Sequence, residues 1–245
     1  MPDGRCHHFA TMTILPDLIG ARASVRAAAL ALAASAFVTA QPTSAAQPAP
    51  LKVPAGTYTL DKAHASLIFK VSHLGFSSFT GRFSRFDAKL QFDPARPAAA
   101  RVEATIDPRS IEADNPPGNF LAMLQGADWL DAARYPEMTF RSTRVTALGA
   151  KKLRVRGDLT LHGVTRPVDL DVTYNGGYAG HPMDPQARIG FSARGTLKRS
   201  AFGVSLGIPE PGSQMGVGDT VELLLEAEFN GPPLAGSAAA SAPPR

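Results

Sequence analysis

Residues 203–207, Gly-Val-Ser-Leu-Gly, set Ser205 in the G-x-S-x-G spacing of a hydrolase nucleophile elbow. That elbow needs a strand, a sharp turn and then a helix whose N-terminus faces the serine. Here Ile-Pro-Glu-Pro-Gly follows at 208–212, and two prolines with a glycine cannot begin a helix. No histidine follows Ser205 to act as its base, so acyl transfer is not expected. Metal chemistry has as little support. His64, His73, His162 and His181 are the histidines beyond residue 46, there is no H-E-x-x-H pair, and Cys6 is the only cysteine. A centre built from His64, His73 and His162 would need a convergence that their spacing does not supply, so neither metal nor cofactor is expected.

The elements that carry these residues are strands. In 221–229, Val221, Leu223, Leu225, Ala227 and Phe229 alternate with Glu222, Glu226 and Glu228. Phe86, Ala88, Leu90 and Phe92 alternate with Asp87, Lys89 and Gln91, and Ile189, Phe191, Ala193 and Leu197 with Arg188, Ser192, Arg194 and Lys198. Period-two alternation marks antiparallel strands with one face inward and one in water. Eight strands are predicted, at 66–73, 80–92, 101–107, 138–145, 152–161, 167–174, 188–198 and 220–230. Inward parity changes between Phe83 and Phe86, which predicts a β-bulge inside the second strand. Glycines at 149, 163, 176–177 and 218 are read as turns. Residues 119–125 and 128–133 have helical composition, with Asp128 a cap for the second turn, and predict a short helical insertion between strands 3 and 4 at one barrel mouth.

A chain of such strands has to close or stack, because open edges invite aggregation, and eight strands is the number at which a closed barrel holds one small ligand. The fold predicted is therefore all-β, an eight-stranded antiparallel barrel. Phe69, Val71, His73, Phe83, Phe86, Leu90, Phe140, Leu159 and Phe191 fall on its inner face and are the candidate ligand-lining residues. His73 ends its strand on inward parity, where a neutral imidazole could meet a carbonyl or phosphate oxygen; fixing a strand end is the competing role. His162 sits at a turn, on the outward parity of Arg156, Asp158 and Thr160. Gly81, Gly157 and Gly195 share inward parity, either to make room for a guest or to relieve strand curvature.

Arg22 and Arg26 precede an apolar run at 27–38, and small residues follow at 38–40 and 44–46. This pattern predicts a signal peptide over 1–46, cleaved on export to the periplasm, then a lead-in at 47–56 and one domain at 57–231. Residues 232–245 are Ala, Pro, Ser and Gly with one Leu and one Arg, the composition of a disordered tail. Export would carry Cys6 away and leave a chain without thiols or disulfides. The 25 basic and 21 acidic residues become 22 and 19, interspersed rather than clustered, so no nucleic-acid partner is expected.

Several segments, in order, resemble the YceI-like family of exported lipid- or polyisoprenoid-binding proteins. They include Tyr58-Thr59-Leu60-Asp61, Phe69-Lys70-Val71-Ser72-His73-Leu74-Gly75 and Thr80-Gly81-Arg82-Phe83. Ala127-Asp128-Trp129-Leu130-Asp131, Tyr135-Pro136-Glu137-Met138-Thr139-Phe140, Leu159-Thr160-Leu161-His162-Gly163 and Arg199-Ser200-Ala201-Phe202-Gly203 continue the match. The resemblance implies a lipocalin-like barrel that holds a long apolar chain, an isoprenoid quinone or polyprenyl compound. His73, His162, Arg194 and Arg199 are the head-group candidates under it. Catalysis is not required to explain the composition, and no enzyme activity is expected. The chain departs from the family at Met123, where relatives often have histidine, and at Ala201, where they often have an acid. A homodimer and a transient contact with a membrane surface stay open, as do an enzyme acting in the same tunnel and a solid-cored interaction module.

Overall fold

The computed structural model describes residues 52–233; the expected leader, Cys6 and the residues from 234 onward lie outside it. Ten strands form one antiparallel sheet: β1 (Gly56–His73), β2 (Ser77–Phe83), β3 (Phe86–Phe92), β4 (Arg101–Ile106), β5 (Ile111–Ala113), β6 (Met138–Ala147), β7 (Lys152–Leu161), β8 (Val164–Tyr178), β9 (Gln186–Lys198) and β10 (Val217–Pro233). The order β10-β9-β8-β7-β6-β4-β3-β1 closes through a long β1–β10 ladder, and these eight strands are the staves of a barrel. Closure leaves the staves no free edge, which answers the hazard that the alternating sequence poses.

β1 is the strand on which the geometry turns. It starts at Gly56, well before the predicted residue 66, and its lower part pairs with β3 from Gly56 to Thr59. Its upper part pairs with β2 from Leu67 to His73. The ladder with β10 skips from Leu60 to Ala65, so residues 61–64 form a bulge that interrupts the alternation and hides the strand from a parity count. The second predicted strand is two strands, a correction to the bulge expected inside it. At the break, Ser84 N–H donates to the Ser110 carbonyl and Asp107 N–H to the Arg85 carbonyl. The corner therefore bonds sideways, and the chain changes which half of β1 it accompanies.

Other boundaries moved for local reasons. The predicted turn at Gly176-Gly177 lies inside β8, at a register shift between Tyr174 and Gly176, and Gly218 lies inside β10. The turn at His162-Gly163 is real: φ is 52° and 74° there, the two positive values a tight two-residue hairpin requires. Between β4 and β6, α1 (Phe120–Gln125) forms, whereas 128–133 are turns held by Asp131 N–H and Ala132 N–H to the Gly126 and Gln125 carbonyls. β5 is three residues long, too short for a period to show in the sequence.

Two ends follow from strand direction. At the floor, Val53, Tyr58, Leu60, Leu90, Phe92, Ala187, Ile189 and Phe229 pack into a buried cluster. Tyr58 is fully buried, and its hydroxyl donates to the Pro54 carbonyl at 2.6 Å. The other end carries the β1–β2 turn, α1 and the loop 203–216.

Candidate functional site

Above the floor the barrel is hollow. A cavity of about 680 Å³ runs through it, lined at its lower part by Leu90, Phe92 and Phe229 and at its top by His73, Ser77 and Val217. Along β10 the lining extends from Val217 to Phe229, roughly 40 Å of strand. Strand tilt of about 40° brings that to roughly 30 Å along the axis, the shape of a tunnel. Leu67, Phe69, Leu223 and Leu225 line it and are only half-buried. The surface they keep faces the lumen, which is how a hollow core differs from a filled one.

All nine predicted lining residues sit on this cavity: Phe69, Val71, His73, Phe83, Phe86, Leu90, Phe140, Leu159 and Phe191. One wall is an aromatic strip. Phe83 and Phe69 lie 5.5 Å apart, Phe69 and Phe79 6.1 Å, and Phe79 meets Phe120 of α1 edge-on at 5.4 Å. The inward glycines do more than relieve curvature: they open the lumen indirectly. A Cβ on Gly81 would stand 2.5 Å from the Phe69 ring, and one on Gly157 2.3 Å from the Phe140 ring. Each glycine lets a neighbouring aromatic lie down against the wall, out of the lumen. Gly195 does the same for Leu170, at 2.7 Å.

The polar candidates separate. His73 is exposed and lines the cavity, opposite Ser77 in the β1–β2 ladder; these two mark the mouth. His162 does not reach the lumen: its Nδ1–H donates to the Phe202 carbonyl at 3.2 Å, and its ring meets Tyr135 edge-on at 5.0 Å. Arg194 is on the outer wall, exposed, beside Asp169, Asp171 and Glu222. Strand alternation puts it there, opposite in parity to Ala193. Both are corrections to the head-group set.

Arg199 lines the cavity and is 5 % exposed, but its guanidinium is occupied. Nε, Nη1 and Nη2 donate to the carbonyls of Gly218, Val204 and Val217 at 2.8–2.9 Å. Its charge lies 5.2 Å over the Trp129 ring, and no carboxylate is within salt-bridge distance among the described residues. Burial pulls its pKa down, with Asp219 acting the other way. Trp129, Phe120, Met123, Leu124 and Leu130 also line the cavity, and parity could not have found them, because they come from turns and a helix of six residues. The Trp129 indole N–H is buried without a partner among the described residues, a cost of about 1–3 kcal/mol.

Outside the lumen, Asp61, His64 and Glu228 bring one ligand atom each within 4.8 Å of one another. Arg188 already serves as their cation, with Nη1 at 2.7 Å from Asp61 and 3.4 Å from Glu228. Hydrogen bonds from His64 and Arg188 hold the Asp61 carboxyl down at about 2. Ser205 lies exposed in a loop, and no helix follows it among the described residues.

With that geometry in view, residues 58–229 match the model of the YceI-like domain. A UPF0312 protein of Vibrio cholerae is 36 % identical over 181 residues, 73 % of this chain and 89 % of the relative. A UPF0312 protein of Pseudomonas savastanoi is 38 % identical over 164 residues, 65 % and 81 % of the two chains. Among solved structures, Burkholderia cenocepacia BcnA superposes with a TM-score of 0.58 at 29 % identity, covering 69 % of this chain and 98 % of that one. The Campylobacter jejuni YceI protein gives 0.53 at 32 %, with 71 % and 98 % covered. A polyisoprenoid-binding domain from Saccharophagus degradans gives 0.51 at 15 %, over 71 % and 98 %, a likeness of fold alone.

Proposed function

This chain belongs to the YceI-like family, and from that premise we propose that it is an exported, periplasmic carrier that holds a long apolar lipid, an isoprenoid quinone or polyprenyl compound, in its barrel. The observation that carries the proposal is the tunnel. It is long, narrow and apolar along its length, with polar groups gathered at the mouth. Burial of a prenyl tail there contributes about 0.8 kcal/mol per methylene, so ten such groups give roughly 8 kcal/mol before binding costs. The polyisoprenoid-binding domain that shares the fold agrees with such cargo. The basic residues, apolar run and small residues of 22–46 support export.

Binding alone explains the site. A nucleophile needs a base within hydrogen-bond reach, and the lumen's titratable lining is His73 at the mouth, the carbonyl-bound Arg199 and the exposed edge of Glu226. The test is extraction of the purified protein into organic solvent and mass spectrometry. A long-chain lipid at about one per protein is expected. A protein that yields no lipid, and whose single tryptophan, Trp129, is not quenched on titration with a prenyl quinone, ends the proposal.

A further inference from the structure

One side of the barrel mouth is built from three segments that hold a single charged residue among them, at residues 74–79, 115–127 and 203–216. They are joined to one another. Leu74 N–H donates to the Gly216 carbonyl at 2.8 Å, Gln214 packs against Gly75, and Phe79 meets Phe120 at 5.4 Å. Glu210 is the one ionisable residue in all three. On this half-rim Phe76 is 80 % exposed, Met215 65 %, Leu206 50 % and Met123 43 %. Among the described residues these are four of the six large apolar side chains left in water.

The outer wall below is the opposite. It is crossed by ion pairs such as Arg82–Glu112, Arg154–Asp171 and Arg156–Asp169. Scattered apolar residues on a surface need no explanation; a nearly uncharged rim on one side of the entrance to an apolar tunnel does.

We infer that this half-rim docks the barrel on a lipid bilayer, with Phe76, Leu206 and Met215 entering the interfacial layer. The inference rests on the carrier role and names where the cargo passes. A rim crossed by ion pairs would have to shed charge solvation on approach, whereas these three segments carry one charged side chain, Glu210. Phenylalanine, leucine and methionine on loops are side chains that insert into the headgroup boundary. The lumen continues the same surface inward: Phe79 and Ser77, next along the chain from Phe76, already line it. A lipid leaving the tunnel on this side would pass Phe79 and Phe76, with Glu210 the one charged side chain in the three segments. With one acid and no lysine or arginine in the three segments, the partner is a neutral bilayer, held by burial rather than by charge.

The experiment is co-flotation of the purified protein with vesicles of phosphatidylcholine alone, against the variant Phe76→Asp/Met215→Asp. Both proteins carry the same termini, so the difference between them reports the rim. Wild type should float, with little change between about 50 and 500 mM salt. The variant should bind about tenfold more weakly or less, while extraction still returns the same lipid from its lumen. Equal flotation of the two overturns the inference, as does a wild type that binds only anionic vesicles and leaves them in salt. Light scattering that shows a Phe76-dependent dimer and no vesicle binding overturns it in favour of a second copy of this chain. Rim-dependent flotation of a protein without extractable lipid sinks the carrier role and leaves the docking face standing.

Discussion

The floor and the mouth of this barrel are lined by inward-facing residues of the same strands, yet one is solid and the other hollow. At the floor, β1 offers Tyr58 and Leu60, β3 offers Phe92 and β10 offers Phe229; large side chains converge and fill the section. Higher up, β1 offers Leu67, Phe69 and Val71 opposite Gly81, with Gly157 and Gly195 around the ring, and the aromatics lie along the wall. Binary pattern settles which side faces in. Whether that inside is core or cavity depends on the volumes that meet at one level.

The most severe way to break this contrast is to hollow the floor. Tyr58→Ala removes a fully buried ring packed edge-on to Phe92 at 6.4 Å and should cost about 3–5 kcal/mol in urea unfolding. Leu223→Ala, on the lumen, should cost only about 2 kcal/mol, because one side of Leu223 already faces open space. Equal losses would mean that the lumen is packed as tightly as the floor.

At the mouth the corresponding anchor is polar. Arg199→Met strips the carbonyls of Val204, Val217 and Gly218 of their donors and should cost about 2–4 kcal/mol. It also removes the cation from Trp129, so Trp129 emission should shift, which truncations at the floor would not cause. Gly157→Ala asks for less. Its Cβ would meet the Phe140 ring at 2.3 Å and the Arg141 carbonyl at 2.7 Å, so ring and wall must both shift. A loss of about 1–3 kcal/mol is expected, together with a smaller lipid load per protein, measured by extraction.

Much of this was legible beforehand. Inward parity picked Phe69, Phe83, Phe140 and Phe191 because alternation survives wherever a strand has regular partners on both sides. It failed at residues 61–64, where four residues of β1 bulge away from β10 and carry Asp61, Lys62 and His64 out of phase. It failed at Gly176, where strand and turn share a composition. Trp129 and Phe120 enter the lumen from turns and a single helical stretch, which have no period to count. Arginine posed a separate problem, since the burial of Arg199 and the exposure of Arg194 follow from one being past the strand end and the other on it.

Acid distinguishes the two ends more gently. Asp61, beside the floor, is held at about 2 by His64 and Arg188, and Asp107, at the upper corner, at about 2 by Arg109 and Arg85. Both folded values lie below the ordinary 3.8, so the folded state takes up protons later than the unfolded chain. The stability they contribute is complete above pH 4 or so and drains as pH falls toward 2. Asp61→Asn should flatten that loss partly, and Asp61→Asn/Asp107→Asn further, in denaturation midpoints taken across the window. An unchanged slope in both variants would place the acid sensitivity elsewhere.

The smallest effect belongs to Arg194→Ala. Arg194 is exposed on the outer wall and lies across the sheet from the tunnel, next to a chain of ion pairs that includes Arg154–Asp171. Surface pairs of this kind contribute about 0–1 kcal/mol and are weakened further by salt. Its removal should therefore change stability by no more than about 0.5 kcal/mol and leave the extracted lipid unaltered in kind and amount. The result matters because Arg194 and Arg199 are five positions apart on one chain and carry the same charge. If Arg194→Ala emptied the lumen, the barrel wall would have to admit a head group from outside, and the difference between wall and mouth would collapse.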